Sequence, residues 1–584
     1  MQPRRSGDVE AFALVNGRLA VGDSTTLNLS TGRPTAILIE DGRIARLGDD
    51  DTVRGLVARR GRAIDVDGAV IAPGIVDAHM HAFDCALALR HVSCLPPAVD
   101  SLTGLKQRLA DRAGSLPAGA WVVATGYDDT RLREKRHPSR LDVDAAVPHH
   151  PAVVGRVCGH MSVANTLALA SAGIDAATPD PPGGTIVRDP AGAPTGLLLE
   201  TAQDLVWRVT PPLSGPDIRH ALSQIGRQIL GYGITTICEA LLGAFHPLEV
   251  DIWSELLSGP WDGPRVGFLA QPDTVEPALA ARLPVVGTKL FADGVITGGT
   301  AALWQPFEST SDLGMLIHEP GELTDMVRHS AARGLIVGIH AMGDRGIAVA
   351  LDAIERAGGP ARPEQAAGQR AGRHRIEHCT LPTPESLRKI RQLGVVPVLQ
   401  PTFLFAEGEA YLARLGRQRC QRTYPLRSMI DQGLRPALSS DAPCTSWDDP
   451  INPWLGIATA VARKTWAGSV LGTSETVSAG EAMLCYTANG ARALGLEKEI
   501  GSLESGKRAD LITIRLDRPH AVPLYDVYSQ IVYALKGSDV RDVMVNGRPV
   551  VRDGHALLLD EKQVMAKAVE YGTRITSSLK PALP

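Results

Sequence analysis

The 584-residue chain contains no CxxC pair. Its eight cysteines (Cys85, Cys94, Cys158, Cys238, Cys379, Cys420, Cys444 and Cys485) are scattered, which argues against a disulfide framework or a structural zinc knuckle. A reducing, cytoplasmic setting is expected, with Cys379 and Cys444 as buried structural thiols. Also missing is any uninterrupted apolar run of membrane-spanning length. The opening MQPRRSGDVEAFALVNG lacks the apolar stretch and small-residue cleavage site of a secretory signal. Charge of one sign is not in excess: 60 basic against 64 acidic residues leave a net −4, with no basic cluster and no acidic tail. Neither nucleic acid nor a membrane surface is therefore an expected partner. The remainder, 44% hydrophobic and 21% charged, has the composition of a globular protein large enough for more than one folded unit.

The two ends share a texture. FALVNGRLAVGD, TAILIEDGRIARLG and GRAIDVDGAV near the start, and VRDVMVNGRPVVRDGHAL near the end, alternate short apolar runs with Asn-Gly and Asp-Gly pairs. Those pairs predict hairpins. Between the ends lie eight strand-like runs, at 72–81, 233–240, 264–271, 285–294, 334–343, 374–379, 394–401 and 434–441. Helical segments such as GELTDMVRHSAARG, DRGIAVALDAIERAG and TPESLRKIRQLG separate most of them. The expected fold is α/β: a (β/α)8 TIM-type barrel with an inserted subdomain after strand one and a small β-sandwich domain built from both termini. The expected boundaries are 1–70 and 496–584 for the two parts of the sandwich, 71–83 and 216–495 for the barrel, and 84–215 for an α/β insert over its mouth. Within the insert, TPDPPGGTIVRDPAGAPTG reads as turns.

Polar residues collect at the C-terminal ends of the strands, where such barrels place their chemistry. They are His79 and His81 on strand one, Lys289 on strand four, His340 on strand five, His378 on strand six and Asp441 on strand eight. Histidines at i and i+2 share a strand face. Alone, an HxH pair is weak evidence; four histidines, a lysine and an aspartate on separate strand ends form a ligand set for zinc or a similar divalent metal. Lys289 has two readings. Its ammonium pairs with Asp293 or reaches solvent, or burial lowers its pKa so that the neutral amine captures CO2 and bridges two metals as a carbamate.

The motifs HMH, TKLFADG, GIHAMGD, RIEHC and SSDAP, in this order, resemble the amidohydrolase superfamily. The likeness is to its amidohydrolase-3 branch, which includes YtcJ-like proteins and N-substituted formamide deformylases. GYDDTRL, VCGHMSVAN, GGTIVRDPAGAPTGLLLE and GSLESGKRADLITI extend the resemblance over nearly the whole chain. It implies a centre of two divalent ions, zinc first among them. His79 and His81 would bind the more buried ion, and carbamylated Lys289 would bridge both. His340 and His378 would hold the more exposed ion, and Asp441 would touch the buried one and shuttle protons. The implied reaction is attack of metal-activated hydroxide on the amide carbonyl of a small N-acyl or N-formyl amine, a non-peptide C–N bond. Lactonase, cyclic amidase, deaminase and decarboxylase chemistry fit the same ligands. A catalytically silent scaffold would be expected to lack one of them, and none is missing. A small-molecule amide is the expected partner, and a homodimer is compatible with the sequence.

Other expectations concern the surroundings. His160 is a substrate-pocket residue by the resemblance, or else a structural histidine; Asn165 and Glu200 read as structural. Asp344 reads as the cap of the helix it opens. Glu377, alternating with His378, is expected behind the barrel against a basic partner. Trp447 and Trp454 are candidate pocket walls. The loop at 293–303 has Gly298 and Gly299 where relatives would carry an arginine, which favours a neutral substrate.

Overall fold

Eight parallel strands follow one another in chain order around one sheet: β1 (Ile75–Met80), β2 (Ile234–Leu242), β3 (Arg265–Ala270), β4 (Val285–Phe291), β5 (Ile336–Ala341), β6 (Arg375–His378), β7 (Val396–Leu399) and β8 (Ala437–Leu438). In this computed structural model residues 11–22, 26–29, 34–58, 61–259, 261–359, 372–523, 527–534, 536–557 and 569–570 are described. The eight strands fall on the eight expected segments, and the sheet is a TIM-type barrel. Between β8 and β1 the circle closes just beyond the ladder. The Asp441 N–H donates to His79 O at 2.9 Å, and the His81 N–H to Ala442 O at 2.8 Å. The residues that close the barrel are thus the candidate ligands themselves.

The strands form because their runs are apolar on both faces, as strands covered by helices outside and by neighbours inside must be. All six residues of β5 are buried. The helices carry ordinary start and stop signals. They include α1 (Gly215–Gly231), α2 (Pro320–Ala332), α3 (Asp344–Arg356), α4 (Pro384–Leu393) and α5 (Pro401–Cys420). α4 begins at Thr383, whose side chain accepts the Ser386 N–H, has Pro384 in its first turn, buries Leu387, Ile390 and Leu393, and stops at Gly394 with φ +63°.

The terminal segments meet in one sheet: Val70–Pro73 pairs antiparallel with Leu511–Ile514, flanked by Arg18–Gly22 and Val540–Val545. Here one sequence expectation needs correction. Asp41-Gly42 and Asn546-Gly547, all at positive φ, do close hairpins. Asn16-Gly17 and Asp67-Gly68 do not. Ala11–Val15 pairs with Ala36–Glu40 and Gly61–Asp65, while Arg18–Gly22 joins the other sheet. At Asp67-Gly68 a pair with the same positive φ angles as the two hairpin turns carries the chain between sheets, so the turn alone does not select a strand's partner.

Between β1 and β2 lies a six-stranded mixed sheet, ordered Gly184–Arg188, Pro194–Glu200, Met161–Ala164, Ala152–Arg156, Val122–Tyr127, Val92–Ser93. The Pro/Gly-rich run read as turns is in fact a strand pair, Ile186 opposite Leu198, with its turn at Asp189–Ala193. No described helix is long and apolar enough to cross a membrane. All eight cysteines are free; Cys444 is half-buried rather than buried, against the expectation for it.

Candidate metal centre

His79 is the last residue but one of β1 and His81 directly follows the strand, and both imidazoles reach the same carboxylate oxygen. Asp441 Oδ1 lies 3.2 Å from His79 Nε2 and 3.0 Å from His81 Nε2. The three residues are buried, and their donor atoms lie within 4.8 Å of one another. His79 Nε2 and Asp441 Oδ1 nevertheless have no hydrogen-bond partner; the two are close but aimed past each other. Buried lone pairs that converge without bonding are costly unless something positive sits among them. That is the fit a divalent metal requires.

Three of the four histidines are oriented by a partner on the other nitrogen; His81 Nδ1 has none among the described residues. His79 Nδ1–H donates to Glu377 Oε2 at 2.5 Å, His378 Nδ1–H to Gln400 Oε1 at 2.8 Å, and His340 Nε2–H to the Gly294 carbonyl at 3.0 Å. The remaining nitrogens, His79 Nε2, His378 Nε2 and His340 Nδ1, keep their lone pairs for a metal. The rings gather: His340 and His378 are 4.4 Å apart by centroids, His79 and His378 5.1 Å. Burial holds three of the imidazoles neutral, pushing His81 down to about 4, His378 down to about 3 and His340 well below the usual value. Burial alone would raise the Asp441 carboxyl, but His79 and His81 beside it bring it well below the usual range. Neutral imidazoles and an ionised carboxylate are the states in which these groups bind metals.

Lys289 is 2% exposed, and burial lowers its pKa. The expected alternative partner, Asp293, is occupied: Oδ1 accepts the Met342 N–H at 3.0 Å, and Oδ2 accepts those of Gly343 and Ala302 at 2.8 and 2.9 Å. Among the described residues the Lys289 amine has no hydrogen bond or ion pair; Nζ stands 5.1 Å from the Phe291 ring.

Glu377 corrects the sequence reading most. It is fully buried in the barrel interior, not behind it, bound to Arg375 through Oε1 (2.7 Å) and Oε2 (2.8 Å) as well as to His79. Arg375 and Glu377, two residues apart, share the inner face. His378, next in line, would point outward if the strand continued. It turns back because His378 and Cys379 take positive φ, +67° and +43°. Gly338 on the adjacent strand makes room: a Cβ there would stand 2.8 Å from Glu377 Oε1. Asp344 also departs from expectation, for the α3 N-cap is Gly343 and Asp344 instead accepts the Trp304 N–H at 2.9 Å.

The insert reaches the cluster. His160 Nδ1 is 2.6 Å from Glu200 Oε2, whose Oε1 accepts from Thr300 Oγ1 at 2.6 Å, and the His160 ring lies 4.9 Å from that of His340. Burial pulls the His160 pKa down, but Glu200 outweighs it and the net shift is upward. Glu200 thus anchors a histidine beside the cluster, while Asn165 is structural: its Oδ1 accepts from Ala152 and Ala168. The buried Arg156 fastens the insert to the barrel. It binds Asp128, Asp129 and Thr297, and Asp128 in turn accepts from Ser446 in the loop after Asp441. Trp447 packs edge-on against Phe405 (4.8 Å). Trp454 is 3% exposed in the core and forms no wall. Although residues 294–303 carry no charged side chain, Arg414 from α5 fills the space beside them, with Nη1 3.6 Å from the Cβ position of Gly299.

Behind His81, Phe245 makes an edge contact with the imidazole at 5.6 Å. Glu249 holds that loop, its Oε2 accepting the Gly243 and Phe245 N–H groups at 3.0 and 3.1 Å. Burial pushes the Glu249 carboxyl up to about 8. Because its folded pKa lies above its unfolded one, its stabilising contribution is complete below the unfolded pKa, about 4.3. That contribution is lost as pH rises through about 8. Glu249→Gln, neutral at every pH, should therefore lose less thermal stability than the parent between pH 5 and pH 8. Superimposable melting-temperature profiles for the two proteins would contradict this.

A family model described as "Amidohydrolase family" matches residues 62–551. The chain belongs to the amidohydrolase family, in its amidohydrolase-3 branch. Within the family it is 30% identical over 500 residues to an N-substituted formamide deformylase of Arthrobacter pascens, covering 82% of this chain and 90% of that one. It is 29% identical to the putative amidohydrolase YtcJ of Bacillus subtilis, covering 84% and 92%. Its fold matches that of an uncharacterized metal-dependent hydrolase from Pyrococcus horikoshii with a TM-score of 0.67 at 24% identity, covering 88% and 98% of the two chains. This amidohydrolase is a hydrolase of carbon–nitrogen bonds other than peptide bonds.

Proposed function

We propose that the protein hydrolyses the amide bond of a small N-acyl or N-formyl amine at a centre of two divalent ions, zinc by preference. His79, His81, His340, His378 and Asp441 would hold the ions, with Lys289 bridging as a carbamate. The observation that carries the reading is the convergence of His79 Nε2, His81 Nε2 and Asp441 Oδ1 at the closed seam of the barrel, buried and without hydrogen bonds at two of the three atoms. The buried, unpartnered Lys289 amine supports the carbamate, because uptake of CO2 needs the neutral base. The similarity to a formamide deformylase supports the acyl class.

Divalent ions in this position supply Lewis acidity, lowering the pKa of water and polarising a carbonyl. The chain supplies the rest. Asp441, ionised, takes the proton of the attacking water and delivers it to the departing nitrogen. His160, held by Glu200, donates a hydrogen bond to the substrate from the insert side. Apolar neighbours such as Phe291 and Phe403 keep bulk water from competing.

The test is a substrate screen with metal-loaded protein: N-formyl, N-acetyl and longer N-acyl amines beside lactones and cyclic amides. Release of amine from the acyl series is expected, together with about two metal ions per chain that a chelator removes along with activity. Turnover confined to lactones, or activity indifferent to the chelator, would overturn the proposal.

A further inference from the structure

Of the four histidines in the cluster, only His81 lacks an acceptor on its second ring nitrogen. Its Nδ1 is buried and bonds to nothing among the described residues. Opposite it, 3.9 Å away, stands Glu239 Oε1, which is also buried and also without a partner. Each of these atoms is costly to bury alone, and each is what the other lacks.

The strand register puts Glu239 there. It lies on β2 as the partner of Met80, the last residue of β1, and is fully buried. Its Oε2 accepts the Phe83 N–H at 3.0 Å, in the first turn of the helix Ala82–Ala88. His81 is the N-cap of that helix, but its own side chain caps nothing, so Glu239 supplies an acceptor from the next strand. One carboxyl thus holds the start of the helix with Oε2 and presents Oε1 to the imidazole that precedes it. Burial, with Glu249 close by, raises the Glu239 pKa. The pairing needs only an acceptor lone pair on Oε1, which a carboxylate has and an acid protonated on Oε2 has as well.

A neutral imidazole carries one proton, so a His81 whose Nε2 binds a metal carries it on Nδ1. We propose that Glu239 is the positioning residue of His81: Oε1 accepts the Nδ1–H and fixes the tautomer and ring angle that leave Nε2 for the metal. Glu377, Gln400 and the Gly294 carbonyl do the same for His79, His378 and His340. The two atoms must approach by about 1 Å to bond. The inference rests on the metal reading of His81 and not on which substrate is cleaved.

Zinc affinity, read by competition with a chelating dye, tests it without turnover. In Glu239→Gln the amide oxygen stays on the Phe83 N–H, so the NH2 group faces His81 Nδ1, where it cannot accept. Zinc affinity should fall about 10–100-fold, while the metal-free protein keeps the parental melting temperature. In a His81→Ala background the same change should alter affinity less than about twofold, because the effect runs through that imidazole. A purely structural role would cost the same in both backgrounds. A structure of the zinc-loaded parent, which needs no variant, should bring Nδ1 and Oε1 to about 2.7–3.2 Å. Parental affinity in Glu239→Gln, an equal loss in both backgrounds, or atoms still beyond hydrogen-bond reach in the zinc-loaded protein would each overturn the inference and leave the metal centre standing. A parent that binds no zinc would overturn both.

Discussion

Asp441→Asn should lower turnover by about 10²–10⁴-fold, the usual worth of a positioned general acid–base, while metal content stays at the parental level. The asparagine keeps the shape and one oxygen of the side chain whose Oδ1 now lies 3.2 and 3.0 Å from the two histidines. It removes the negative charge and with it the capacity to take up a proton. The carboxylate is well suited to that task because His79 and His81 keep it ionised against the effect of burial. Steady-state kinetics and metal analysis on the same preparation separate the outcomes. Full activity would dismiss Asp441 as the proton carrier, and loss of metal along with activity would make it a ligand and nothing more.

The largest effect on the folded state should come from Glu377→Gln. Arg375 and Glu377 are both fully buried, and the arginine binds both carboxylate oxygens and the Ala78 carbonyl. Burial alone would raise the Glu377 carboxyl, but Arg375 and His79 bring it well below the usual range. Removing one charge leaves the other buried and unbalanced, which costs about 3–5 kcal/mol. The same change takes the carboxylate away from His79 Nδ1, and loss of such a partner weakens metal affinity about 10–100-fold. Denaturant unfolding reads the first effect and competition with a chelating dye the second. Arg375→Met combined with Glu377→Gln should recover part of the stability but none of the metal affinity, since His79 still lacks its anchor. A Glu377→Gln protein as stable as the parent would refute the buried-pair account.

Much of the centre was legible because it obeys the period of a strand. His79, His81, Lys289, His340, His378 and Asp441 each follow an apolar run, and a parallel barrel delivers the ends of such runs to one face. Glu377 was misplaced for the same reason: alternation was applied to β6 up to His378, and two residues at positive φ break it. Gln400 carried a signal that was available, a polar side chain at the end of an apolar strand. Glu200 carried none, since its role depends on Thr300 from a barrel loop 100 residues away. The Asn16-Gly17 turn showed the limit of local reading, as strand partners are chosen by edges that a turn does not specify.

The sequence by itself determined the alternation of strands and helices, the types of the candidate ligands and the order in which they arrive. Those properties are written in local hydrophobic periodicity and in residue chemistry. Only the tertiary structure decided which nitrogen is free in His79, His378 and His340, because that depends on the acceptor meeting the other one: Glu377, Gln400 or the Gly294 carbonyl. It alone decided that Lys289 has no counter-ion among the described residues, because backbone amides from two separate loops, Met342 with Gly343 and Ala302, occupy Asp293.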